Sequence, residues 1–138
     1  MIILDTNVLS VLMQVTPDST VLGWLDRQPR TSIWTTSITT FEIRFGLQIM
    51  AEGKRRSALL QKFESFLGKI DYRVVPFDRE SASQTADLMA SRQKNGRTGD
   101  LRDSMIAGIV LARRASLATR NVIHFADISA TVVNPWNA

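Results

Sequence analysis

The 138-residue chain contains no cysteine and a single histidine. The first absence removes disulfide frameworks, zinc ribbons and thiol catalysis together, and it suits a reducing compartment. The second argues against histidine-rich metal sites. No apolar stretch approaches the ~18 residues that a membrane-spanning helix needs, and the N-terminus lacks the basic region, apolar segment and small-residue cleavage site of a signal peptide. A cytoplasmic protein with no membrane contact is therefore expected. Low complexity and internal repeats are also missing: hydrophobic residues make up 44% of the chain, with six Phe and three Trp, as in an ordinary globular protein. A chain of this length buries roughly two-thirds of its unfolded surface in one core, so a single domain over residues 1–138 is expected.

What is present alternates between strand-like and helix-like patterns. Ile2 to Asp5 reads as a short buried strand and Asn7 to Gln14 as a short helix. Pro17-Asp18-Ser19 starts a second helix that stops near Gln28-Pro29. Ser32 to Thr36 is predicted as a second strand. Thr39 to Gly53 carries Phe41, Phe45, Ile49 and Met50 at helical spacing, and a further helix carries Leu59, Leu60, Phe63, Phe66 and Leu67 beyond the polar Lys54-Arg55-Arg56. Arg73 to Pro76 is a third strand, with Pro at its end, where no ladder donor is required. A helix from Asp78 to about Lys94 and an irregular loop at 95–99 precede a strongly apolar helix, Asp103 to Ala115. Leu117 to Thr119, a turn from Asn121 to Phe125, and Thr131 to Val133 complete the chain. Strands alternating with helices predict a three-layer α/β/α sandwich with a mainly parallel central sheet.

In such a sheet the C-terminal ends of the strands and the N-termini of the following helices share one edge, where open α/β folds place their sites. Asp5 ends the first strand, Glu42 lies in the first turn of the helix after the second, and Asp103 starts the apolar helix that feeds the fourth. Asn121 follows the end of that fourth strand. The Asp78 helix, ~26 Å long at 1.5 Å per residue, runs away from this edge. Lys94 to Leu101 can span up to ~28 Å, enough to bring the chain back.

Each acid also has a structural explanation. Asp5-Thr6-Asn7 suits a turn and helix cap. Thr39-Thr40-Phe41-Glu42 matches a capping box, and Asp103 is favoured at a helix start by the macrodipole. Together, however, these residues bring several carboxylates to one edge, where like charges raise one another's pKa unless a cation neutralises them. Without cysteine or clustered histidine, the suitable ion is hard and oxygen-bound, Mg²⁺ or Mn²⁺. Such ions position phosphates and activate water, so the chemistry indicated is phosphodiester hydrolysis.

Charge points the same way. The chain carries 17 Lys and Arg against 13 Asp and Glu. Setting aside Asp5, Glu42, Asp100 and Asp103 leaves nine acids, and an acidic pocket in a basic body suits a nucleic-acid substrate. Lys54-Arg55-Arg56, Arg92, Lys94, Arg97 and Arg113-Arg114 are candidate phosphate contacts, although charged runs are usually solvated faces.

An LDTN start, a TTFEIRFG helix, DSMIAGIVLAR and LATRNVIHF occur in this order and at these distances in PIN-domain proteins. The chain resembles in particular the VapC-like toxins of bacterial toxin-antitoxin pairs, and its ending Val133-Asn134-Pro135-Trp136 is similar to the FitB-related branch. The resemblance implies a Mg²⁺- or Mn²⁺-dependent endoribonuclease on a Rossmann-like sandwich, with Asp5, Glu42 and Asp103 matching the metal-binding acids. Thr6 matches the hydroxyl residue beside the first acid, and Asn7 completes that motif. Asn121 stands in a fourth position that many relatives fill with Asp, so it brings an amide oxygen without charge. Asp100 either compensates by sharing a metal with Asp103 or caps the helix. Asn7, Arg97 and Arg120 are candidate substrate contacts. The resemblance further implies a homodimer and a cognate VapB-like antitoxin that fills the toxin's groove. The two would form a hetero-oligomer bound to operator DNA through the antitoxin.

Other classes fit less well. A haloacid-dehalogenase-type phosphotransferase needs a second Asp two residues after the first, and Asn7 in that place cannot act as a general acid. A receiver domain wants an acidic pair before its phosphorylated Asp and a late Lys, and neither is apparent. The alternative kept open is a PIN fold that binds RNA or a protein without cutting.

Overall fold

The computed structural model describes residues 1–138. β1 (Ile2–Leu4) leads into α1 (Thr6–Leu12) and α2 (Ser19–Asp26), and β2 (Ile33–Thr36) into α3 (Ser37–Ile49) and α4 (Lys54–Lys69). β3 (Val74–Val75) precedes α5 (Arg79–Lys94) and α6 (Leu101–Arg113). β4 (Ser116–Ala118), a short 3-10 turn at Val122–Phe125 and β5 (Val132–Val133) follow. No helix is long and apolar enough to cross a membrane.

The five strands form one sheet in the order β3-β2-β1-β4-β5, and every pairing is parallel. β1 lies at the centre, with Ile3 opposite both Trp34 and Leu117. Successive strand side chains point to opposite faces, so a central strand covered on both sides must be apolar throughout. Leu4 packs with Val8, Leu9, Trp24 and Phe63 on one side, and Ile3 with Ile106, Ile109, Leu117 and Phe125 on the other. Two cores separated by the sheet make the three-layer sandwich that the alternation of elements predicts.

Three local differences from the sequence reading matter for the site. α3 starts at Ser37, because Thr36 is its cap and accepts from the Thr39 amide at 3.1 Å. Glu42 therefore stands in the second helical turn, and no Thr39–Glu42 capping box forms. The core-facing residues of α3 are Ile38, Thr39, Ile43 and Leu47, whereas Phe41, Phe45 and Ile49 lie on its solvent side. Finally, α6 starts two residues earlier than its apolar pattern suggests, because Asp100 caps it.

α5 and α6 pack closely at Gly108, where a Cβ would lie 1.8 Å from the Thr85 hydroxyl oxygen and 2.7 Å from the Ser81 carbonyl oxygen. Thr85 cannot simply turn away, since its hydroxyl donates to that carbonyl at 2.7 Å. Gly108→Ala is therefore expected to lower stability by about 2–3 kcal/mol, the upper part of the usual range for an overpacked core. Equilibrium urea unfolding checks this value.

Candidate active site

Asp5 is positioned by the sheet and by a helix at once. Its amide donates to the Ala118 carbonyl at 2.9 Å and so extends the parallel ladder past Leu4. Its carboxylate caps α1, with Oδ1 accepting from the Thr6 amide at 2.8 Å. Oδ2 accepts the Thr119 hydroxyl at 2.7 Å and lies 3.4 Å from Asn7 Nδ2. The residue is only 3% exposed. Burial pushes its pKa up to about 6, the Thr119 and Thr6 hydrogen bonds oppose that rise, and the Asp103 and Glu42 charges add to it. The three acids therefore share one electrostatic environment at the C-terminal edge of the sheet.

Glu42 reaches this edge from α3. Its Oε1 accepts the Thr6 hydroxyl at 2.8 Å, and its Oε2 lies 3.8 Å from Arg102 Nη1. The Thr6 and Thr39 hydroxyl oxygens are 3.0 Å apart. With its one proton on Glu42, Thr6 is left to accept from Thr39. Asp103, in the first turn of α6, places Oδ2 3.2 Å from His124 Nδ1.

The remaining expected residues take varied places. The Asp100 carboxylate caps α6, accepting from the Arg102 and Asp103 amides at 2.9 and 3.1 Å, which is the capping alternative. Asn7 ties the start of α1 to the segment after β4: its Oδ1 accepts the Arg120 amide at 3.2 Å, and its Nδ2 lies 3.4 Å from the Thr119 hydroxyl. Asn121 is exposed at the start of the 3-10 turn, and its amide donates to Thr119 Oγ1 at 3.1 Å. Arg120 lies over the Trp136 ring, 4.9 Å from its centroid. Arg97 turns instead toward Asp127, at 3.3 Å.

Arg92 does not serve as a surface phosphate contact. It is 4% exposed and holds Asp127 through Nε and Nη2 at 2.8 and 2.9 Å, Ser104 Oγ at 3.0 Å and the His124 carbonyl at 3.0 Å. The guanidinium in turn holds the Asp127 carboxyl below its ordinary range. Ser104 follows Asp103 and His124 touches it, so this buried strut fixes the acid's surroundings. Of the other basic candidates, Arg113 pairs with Asp78 and Arg56 with Glu52.

Three residues at the site escape the sequence reading: Thr119, Arg102 and His124. Thr119 could have been found by the rule that located the acids, since it directly follows a strand on the same edge. Arg102 and His124 carry no comparable signal. A groove of about 890 Å³ between α2 and α4, lined partly by Leu12, Leu22, Leu25 and Phe66, is separate from the acids.

The donors fit a hard divalent cation in kind, because they are carboxylates backed by hydroxyls and one is buried among like charges. As the side chains stand, no three Asp, Glu or His groups are grouped to hold one ion together. Glu42 and Asp103 are engaged with Arg102 and His124 instead.

A three-layer α/β/α sandwich with acids gathered at the C-terminal edge of a parallel sheet defines a class of protein that works at that edge. The PIN domain matches residues 2–130. The VapC ribonuclease Y4jK of Sinorhizobium fredii is 38% identical, over 99% of this chain and 98% of its own. Toxin FitB of Neisseria gonorrhoeae is 30% identical, over 99% of each chain. The structure of FitAB bound to the IR36 DNA fragment superposes with a TM-score of 0.89 at 31% identity, covering 99% of this chain and 96% of that one. VapBC-5 from Mycobacterium tuberculosis, of the VapBC family of toxin-antitoxin systems, gives 0.67 at 27% identity over 95% and 94%. The chain belongs to the PIN-domain family.

The raised pKa of Asp5 has a consequence for stability. Between its unfolded value of 3.8 and its folded value of about 6, the folded protein binds more protons than the unfolded one. Stability therefore falls as pH rises through this window and stays lowered above it, by about 3 kcal/mol at neutral pH. Asp5→Asn removes that penalty. In chelator at pH 7 the variant is expected to melt higher than the parent and to lose most of the parent's decline between pH 4 and 6, measured by thermal melts across pH.

Proposed function

We infer that the chain is a metal-dependent endoribonuclease, the toxin of a toxin-antitoxin pair, restrained by a VapB-like antitoxin. The observation that carries this reading is the buried Asp5 carboxylate, raised to about 6 in pKa and electrostatically coupled to Glu42 and Asp103. Such a charge concentration is costly by itself and serves a purpose when a cation and a polyanionic substrate meet there. Family membership and the likeness to a VapC ribonuclease support the RNA substrate.

Asp5, Glu42 and Asp103 would hold Mg²⁺ or Mn²⁺. When bound, such an ion neutralises phosphate charge and lowers the pKa of water. The chain's own residues prepare the rest. Thr119 and the Thr6 amide fix both oxygens of Asp5, and the Thr6 hydroxyl orients Glu42. Asn121, exposed at the rim, would offer an amide oxygen to a water there. Asp100 fixes the start of α6 and hence the position of Asp103. Arg120, held against Trp136 beside the strand end, suits a substrate phosphate. The hydrolysis adds water to phosphorus and breaks the bond to one ribose oxygen, which leaves with a proton.

A homodimer is part of the reading. The groove between α2 and α4, apolar on much of its wall, suits a segment of the antitoxin. The FitAB and VapBC-5 structures support such a partner, and FitAB bound to DNA supports operator binding through it.

Purified protein mixed with structured RNA and Mg²⁺ should cut it, and Asp5→Asn should lower the rate by at least ~100-fold, as expected when a charged group central to transition-state stabilisation is removed. Gel analysis of the products with and without EDTA checks this. Equal behaviour of parent and variant on every RNA tried would leave the binding-module alternative.

A further inference from the structure

Arg102 stands where a helix least favours a cation. It is the second residue of α6, at the positive end of the helix dipole and next to Asp103 in the chain. Two contacts on α3 compensate. The guanidinium lies over the stacked rings of Phe41 and Phe45, 5.2 and 5.8 Å from their centroids. It also comes within 3.8 Å of Glu42 Oε2. Both oxygens of Glu42 are thereby taken, since Oε1 accepts the Thr6 hydroxyl at 2.8 Å. The two rings are about half exposed and add little to the core. What they do form is a surface that keeps a cation against one acid of the site.

We propose that Arg102 is a built-in competitor of the divalent cation: its guanidinium faces the Glu42 oxygen that the ion needs, and so sets how tightly the ion binds. The proposal rests on the reading of Asp5, Glu42 and Asp103 as the ligands. A carboxylate oxygen turned to a guanidinium does not also serve a metal ion, because two cations a few ångströms apart repel. One of the two partners of Glu42 must therefore give way. Thr6 is tied in from α1, bonded to Glu42 on one side and to Thr39 on the other. The Arg102 side chain is 43% exposed and can swing out with its charge hydrated, so it is the partner that moves. Its hold is also weak. An exposed ion pair shifts an equilibrium by a factor of about five at most, and rings beneath a hydrated cation contribute a similar factor. The competitor consequently tunes the affinity and does not close the site.

Calorimetric titration of Mn²⁺ into the full chain at neutral pH tests this, with Arg102→Gln, Arg102→Met and Asp5→Asn beside the parent. Arg102→Gln should bind Mn²⁺ about fivefold more tightly, the factor by which an exposed ion pair competes. Arg102→Met, which keeps an unbranched side chain against the rings, should gain as much. If the Gln variant fails to fold, the Met variant decides by the same criterion. In a Glu42→Gln background, where the contested carboxylate is gone, the gain should shrink to less than about twofold. Affinity within about twofold of the parent, or weaker, overturns the competitor and leaves Arg102 a bridge between α6 and α3. An undiminished gain in the Glu42→Gln background overturns it too, since the charge would then act on the ion without Glu42. Asp5→Asn separates the two readings. No binding by the parent and the Arg102 variants alike, or binding that Asp5→Asn does not weaken, defeats the metal site. Binding that Asp5→Asn weakens, with Arg102→Gln equal to the parent, defeats the competitor alone.

Discussion

The structure turns on the burial of one carboxylate. Asp5 follows the central strand, takes part in the ladder through its amide and is nearly sealed from solvent. Burial raises its pKa, and the Thr119 hydroxyl and Thr6 amide offset only part of that rise. The site accordingly contains a stored electrostatic demand for positive charge. Neutralisation by a proton below about pH 6 meets that demand, and so does a cation above it.

The surrounding residues follow from this constraint. Glu42 and Asp103 come from helices that start at the same edge, and each has a basic group beside it, Arg102 and His124. The site is thus an acidic centre with one basic side chain beside Glu42 and another beside Asp103. Behind it, Arg92 binds Asp127, Ser104 and the His124 carbonyl. This strut couples α5, α6 and the turn after β4, so the surroundings of Asp103 depend on a buried cation. Its role as a positioning group explains why a guanidinium stands in the interior at all.

The layered fold was legible because its signals are periodic. The apolar β1, the alternation of strand and helix patterns, and the apolar run of α6 each dictate where a chain segment must be buried. Asp5, Glu42 and Asp103 were legible because strand ends and helix starts share an edge in any parallel sheet, and their coupling in the Asp5 pKa agrees with that placement. Other features depended on tertiary contact and had no sequence signal. The solvent side of α3 has the same spacing as its core side, so Phe41 and Phe45 could equally have read as core. Arg92 looks like any charged residue near a helix end, and its burial follows from Asp127, 35 positions away. Capping shows the same limit: Thr39 with Glu42 fits a capping box, yet Thr36 caps α3 and frees Thr39 to meet Thr6.

We propose above that Asp5, Glu42 and Asp103 together hold a divalent cation. Anomalous scattering from crystals grown with Mn²⁺ tests it most directly. A manganese peak is expected at these three carboxylates, with Glu42 drawn away from Arg102 and Asp103 from His124. Crystals saturated with Mn²⁺ that show no peak there, with the Glu42–Arg102 and Asp103–His124 contacts intact, would contradict this.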